Sequence, residues 1–117
     1  MTNRNQKILE KIVDEAEIVA KLLNGIDETV FLVNDEKMRA VCMTLINIGE
    51  LIKNLTDDFR ERNKKIPWKD LAGLRDVTAH GYFTLRMSDI WIYAADELPI
   101  YAEQIKEILE DEKTKNN

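Results

Sequence analysis

Asn34-Asp35-Glu36-Lys37-Met38-Arg39-Ala40-Val41-Cys42-Met43-Thr44-Leu45-Ile46-Asn47-Ile48-Gly49-Glu50-Leu51-Ile52-Lys53-Asn54-Leu55 reads as one long amphipathic helix. Met38, Val41, Leu45, Ile48, Ile52 and Leu55 recur at steps of three and four, which gathers them on one helical face. Asn34-Asp35 supplies the cap at its start. A helix this long with one apolar face needs partners of the same kind, so its neighbours decide the fold. Cys42 falls within this segment and reads as a small buried hydrophobe.

Upstream, Ile8, Ile12, Val19, Leu22 and Leu23 repeat the helical spacing, with Lys, Asp and Glu between them. Gly25 ends that helix, and Asp27 caps a short one over 28–33. Downstream, Thr56-Asp57-Asp58 ends the long helix or caps a further turn. Pro67 suits the first turn of a new helix. Trp68, Leu71, Leu74, Val77 and Thr78 form its inward face, and Gly81 stops it. Ser88 or Asp89 opens the last helix, which carries Ile90, Trp91, Ala94, Leu98, Tyr101, Ile105, Ile108 and Leu109, with Pro99 predicting a kink. Both Trp side chains read as core anchors. The expected fold is all-α, an antiparallel four-helix bundle with one additional short helix. A single domain over 1–112 and a frayed tail over 113–117 are expected.

Composition agrees. Gly and Pro together number six in 117 residues, leaving few tight turns. Apolar types make up 44% of the chain, enough for one core. The scarce residues exclude whole classes of chemistry. One Cys forbids an internal disulfide or a Cys-based zinc cluster, and one His (His80) forbids a His-rich metal site within one chain. Ser88 is the only Ser, which argues against a Ser-His-Asp triad. There is no Gly-rich phosphate loop, no signal-peptide pattern and no apolar run able to span a bilayer. A cytoplasmic protein with no cofactor and no membrane association is expected.

The charge is uneven. The whole chain carries 17 basic and 22 acidic side chains, for a net charge of −5. From Arg60 to Arg75 the balance reverses, because Arg60, Arg62, Lys64, Lys65, Lys69 and Arg75 face only Glu61 and Asp70. A local positive patch can guide a polyanion even on an acidic protein, and Lys64, Lys65 and Lys69 are its candidate polyanion contacts. The acidic stretch from Asp96 to Glu112 reads as a solvated face.

The patch leads into Leu74-Arg75-Asp76-Val77-Thr78-Ala79-His80-Gly81-Tyr82-Phe83. Asp76 and His80 are four apart, so on a helix their side chains can meet. A carboxylate on one imidazole nitrogen fixes the tautomer and leaves the other free to exchange protons. Arg75 and His80 are five apart, roughly 140° around a regular helix. A left-handed Gly81 would turn the chain there and release Tyr82 from helical geometry. The same residues also suit a helix-end cap or a satisfied polar pair, and spacing alone does not separate these roles.

These residues resemble the HepT-like toxins of the HEPN superfamily. The superfamily pattern is Arg, a polar residue, variable positions and then His, matched by Arg75-Asp76-Val77-Thr78-Ala79-His80, and the HepT branch adds the Tyr found at Tyr82. Ile48-Gly49-Glu50, Ile66-Pro67-Trp68, Ala72-Gly73-Leu74, Trp91 and Leu98-Pro99 extend the likeness along nearly the whole chain. The branch often has Asn where Asp76 stands. The resemblance implies a metal-independent endoribonuclease, the toxin of a prokaryotic type VII toxin–antitoxin system. In that role His80 transfers protons, Arg75 holds the phosphate and Asp76 orients His80. It also implies a homodimer and a minimal nucleotidyltransferase (MntA-like) antitoxin that transfers AMP from ATP to Tyr82. The alternative is an inactive HEPN module that only binds a nucleotidyltransferase. In such modules the motif is commonly degraded, whereas Arg75, His80 and Tyr82 are all present here.

Overall fold

The computed structural model describes residues 1–72, 74 and 79–116, with backbone alone at 79, 80 and 116. The described residues are organised as helices α1 (Asn3–Leu23), α2 (Glu28–Leu32), α3 (Asp35–Lys53), α4 (Asp57–Arg62), α5 (Trp68–Leu71), α6 (Ala79–Tyr82) and α7 (Met87–Ile92). A π-helical turn, Tyr93–Glu97, then joins α7 to α8 (Leu98–Asn116). The fold is all-α, as the periodicity predicts.

Polar side chains mark where these helices start. The Asp27 carboxylate accepts from Val30 N at 2.9 Å, and Asn34 Oδ1 accepts from Lys37 N at 3.0 Å. Thr56 Oγ1 accepts from Phe59 N at 3.3 Å and so opens α4, the further turn that Thr56-Asp57-Asp58 allowed. Each satisfies a backbone N–H that the first helical turn leaves without a partner. Gly25, at φ +77°, ends α1 in the left-handed region where a side chain would be strained.

The long helices alternate in direction. Asn5, near the start of α1, donates through Nδ2 to Thr56 beyond the end of α3 at 3.0 Å. At the other end, Lys37 Nζ donates to Leu22 O at 2.7 Å. The amino group of Met1 meets Glu112 near the end of α8 at 3.0 Å, so α1 runs antiparallel to both neighbours. Between them lies a core that includes Leu9, Ile12, Val19, Val41, Leu45, Ile48, Ile52, Leu98 and Ile105, each at most 2% exposed. The Met38-to-Leu55 stripe supplies most of the α3 contribution, with Met38 packed at its margin.

Three local readings are corrected. Gly81 does not stop its helix, because α6 continues through it to Tyr82. The chain leaves the helix one residue later, where Thr84 donates to Gly81 O through both its backbone N–H (3.0 Å) and its hydroxyl (2.7 Å). The last helical run opens at Met87, not at Ser88 or Asp89, because the Arg86 carbonyl accepts from the N–H groups of Asp89 and Ile90. The helix expected from Pro67 to Gly81 consists, among the described residues, of the separate short helices α5 and α6. Its expected inward residues Val77 and Thr78 lie outside the described residues.

Pro99 acts through the turn before it. Proline has no N–H, and its ring collides with the carbonyl four residues back. The helix widens over Tyr93–Glu97, and Leu98 N–H reaches the Tyr93 carbonyl, five residues away. α8 is helical through Asn116, beyond Lys113.

Candidate functional site

The basic segment is anchored from beneath. Trp68 and Ile66 are buried, the Phe59 and Trp68 rings lie 5.9 Å apart, and Trp68 Nε1 donates to Asn63 O at 3.2 Å. These apolar anchors hold the connection from α4 to α5 against α3 and leave its charges outside. Lys64, Lys65 and Lys69 are all exposed. Lys64 Nζ lies 3.6 Å from Glu61, with both side chains largely solvated, so this pair adds little stability. Arg60 pairs with Asp57 and Arg62 with Asp58.

Among the motif residues, Arg75 and Asp76 lie outside the described residues, as does the side chain of His80. The structure places the His80 backbone in α6, two residues before that helix ends at Tyr82. Tyr82 is half-buried, and its surroundings are defined. The Arg39 guanidinium carbon, from α3, stands 5.1 Å from the Tyr82 ring centroid. This distance is within the range of cation–π attraction. Phe83 meets the other ring edge-on, with centroids 5.6 Å apart and an interplanar angle of 81°.

Arg39 is held in turn by Asp35, whose Oδ2 accepts from Nε at 2.7 Å one helical turn away. That hydrogen bond, then the Asp35 charge, raises the Arg39 pKa above its ordinary value. Tyr82 is raised as well. Partial burial is the main cause, the neighbouring Cys42 and Asp35 add to it, and Arg39 opposes them. A phenol raised above its ordinary value of 10.0 stays protonated at neutral pH, so Tyr82 is unsuited to be a base. Cys42 is 2% exposed, its thiol is pushed up to about 11 by burial, and its Sγ lies 3.9 Å from Met87 Sδ. It is a packing residue between α3 and the start of α7, as its place in the apolar helix implied.

Sequence reasoning missed Arg39 and Phe83. Arg39 is remote from the motif in sequence and reaches Tyr82 only because α3 passes beside α6. Phe83 stands in the motif stretch, but spacing assigns it no role. Its 75% exposure is what distinguishes it from the buried aromatic residues. No group of three or more His, Cys, Asp or Glu side chains able to hold a metal ion occurs among the described residues. No described helix is long and apolar enough to cross a membrane.

The fold and motif define a class: an all-α, HEPN-like helical bundle whose sequence carries Arg-x4-His-x-Tyr, with His80 and Tyr82 of that motif in the short helix α6. The chain belongs to the ribonuclease HepT-like family, whose profile matches residues 12–108. It is 40% identical over 105 residues to "Putative RNase TTE0752" of Caldanaerobacter subterraneus subsp. tengcongensis, covering 90% of this chain and 94% of that protein. It is 32% identical to "Putative RNase MJ0127" of Methanocaldococcus jannaschii, over 88% of this chain and 85% of the relative. "Probable ribonuclease HepT" of Thermococcus cleftensis is 29% identical, over 85% of this chain and 90% of its own length. No solved structure matches the chain.

Proposed function

We propose that this protein is a metal-independent endoribonuclease, the toxin of a type VII toxin–antitoxin pair. The observation that carries this reading is the family match across residues 12–108, which contains Arg75, His80 and Tyr82 in the expected spacing. RNA supplies its own nucleophile, the 2′-hydroxyl, so the protein need contribute only proton transfer and charge stabilisation. His80 takes the 2′-hydroxyl proton or protonates the leaving 5′-oxygen, work suited to a group titrating near neutrality. Arg75 neutralises the phosphate as it gains charge in the five-coordinate transition state. Asp76 orients the imidazole. One His is poorly placed to be acid and base in the same step, and a symmetric homodimer would bring a second His80 and Arg75 to the same phosphate.

The products are a 2′,3′-cyclic phosphate and a 5′-hydroxyl. The deciding experiment is digestion of a single-stranded oligoribonucleotide by the purified protein with EDTA present, followed by mass analysis of the ends. Retained cleavage with cyclic phosphate ends is the expected result. A strict need for magnesium or manganese, or 5′-phosphate products, would overturn the mechanism.

Tyr82 is the control point in this reading. A nucleotidyltransferase antitoxin transfers AMP from ATP onto its hydroxyl, releasing pyrophosphate and placing a negative phosphate beside the RNA site. Inhibition follows from occlusion and from competition for the phosphate-binding cations. Tyr82→Phe keeps the ring that faces Arg39 and Phe83 and removes only the acceptor oxygen. Co-expressed with the cognate antitoxin, wild-type protein should therefore carry AMP-sized mass additions, whereas Tyr82→Phe should carry none and remain toxic. A wild-type protein silenced without any adduct would refute this role for Tyr82.

A further inference from the structure

Phe83 is 75% exposed on the turn leaving α6, three residues beyond His80. Its ring is not adrift, because the edge-on contact with Tyr82 at 5.6 Å orients it. Arg39, on the far element α3, is held by the same Tyr82 ring and by Asp35 through Nε. Its terminal Nη groups make no hydrogen bond among the described residues, and its side chain is 57% exposed. An oriented, solvent-facing aromatic ring beside an oriented, solvent-facing guanidinium is the pairing that holds single-stranded nucleic acid. Every base offers a π face for stacking, and each nucleotide carries one phosphate for a cation. Both groups lie within 6 Å of the Tyr82 centroid, so a strand of one or two nucleotides can touch both.

We propose that Phe83 and Arg39 form a nucleotide subsite for single-stranded RNA beside the cleavage motif, with Phe83 stacking a base and Arg39 holding a backbone phosphate. The inference rests on the ribonuclease reading and adds to it the form of the substrate. RNA must enter unpaired at this point, because a base within a duplex cannot be stacked on a protein ring. Tyr82 is the scaffold on which both groups are arranged. The exposed lysines of the basic segment contribute charge without a fixed direction, whereas Arg39 presents a fork already held in place by Asp35.

The test uses a fluorescent single-stranded oligoribonucleotide and the full-length protein. Binding is read by anisotropy in the non-cleaving His80→Ala background, and cleavage kinetics in the otherwise wild-type protein. Phe83→Ala should weaken binding about tenfold and raise KM with kcat little changed, and Phe83→Trp should restore it. Arg39→Gln should lower the slope of log affinity against log salt by about 0.7, the share of one single-strand phosphate contact, while Arg39→Lys keeps the slope. A duplex of the same sequence should show neither effect. Wild-type cleavage with unchanged affinity and salt slope in both variants would overturn the subsite and leave the ribonuclease reading standing. Loss of affinity that tracks dissociation of the protein into smaller species, measured by light scattering, would also overturn it, because Phe83 would then join copies of the chain. Absence of any cleavage by the wild-type protein would overturn the ribonuclease reading and the subsite together.

Discussion

RNA cleavage by the His80→Ala protein is expected to fall by about 10²–10⁴-fold, the usual contribution of a positioned proton-transfer group. Arg75→Ala is expected to cost about 10²–10³-fold, comparable to removing one transition-state donor. Neither residue belongs to the apolar stripes that build the core, so helical content and the unfolding transition should be unchanged in both variants. Rates on a labelled oligoribonucleotide, beside circular dichroism of the same samples, make the check. Undiminished cleavage by His80→Ala at matched concentration would remove the proposed mechanism. Growth inhibition on expression should be lost in parallel.

The largest effect on stability is expected at Phe31. It is the buried residue of α2, fully enclosed, and its ring lies 5.3 Å from that of Trp91 on α7. α2 has only five residues, too few to be stable alone, so this side chain pins it to α3 and α7. Phe31→Ala removes the ring from a closed site and should cost about 3–5 kcal/mol. Against a total stability of about 5–15 kcal/mol, that is a large share. The midpoint of thermal unfolding should fall by roughly 10–20 °C. Phe31→Leu fills more of the space and should lose less. Urea unfolding of the three proteins decides the matter, and a loss below about 1 kcal/mol for Phe31→Ala would show that α2 is not held this way.

The core was legible because burial leaves a periodic trace. Met38 to Leu55 is spaced at three and four residues, and the structure buries Val41, Leu45, Ile48 and Ile52 on one face of α3, with Leu55 buried just beyond its end. The starts of α2, α3 and α4 were legible for a related reason. Asp27, Asn34 and Thr56 carry acceptors that reach N–H groups three residues on, a contact confined to neighbouring residues. Helix ends near the motif were read less well. Gly81 is permissive of a left-handed turn without requiring it, and the Thr84 contacts close the chain one residue later. Pro99 announced a disturbance, but its form, a wide turn over Tyr93–Glu97, depends on how the helix repacks around the missing N–H.

The sequence by itself determined the all-α class, the antiparallel order of the long helices, the buried stripe of α3 and the motif through which the chain resembles its family. All of these follow from contacts within a few residues, from the 3.6-residue period, or from residue identity at short spacing. Only the tertiary structure decided what surrounds Tyr82. Arg39 reaches it from α3 at 5.1 Å, Cys42 and Asp35 lie close enough to raise its pKa, and Phe83 is left facing solvent. The physical reason is that these neighbours are set by which helices pack together. A cation–π contact or an exposed ring between distant segments leaves no period in the chain.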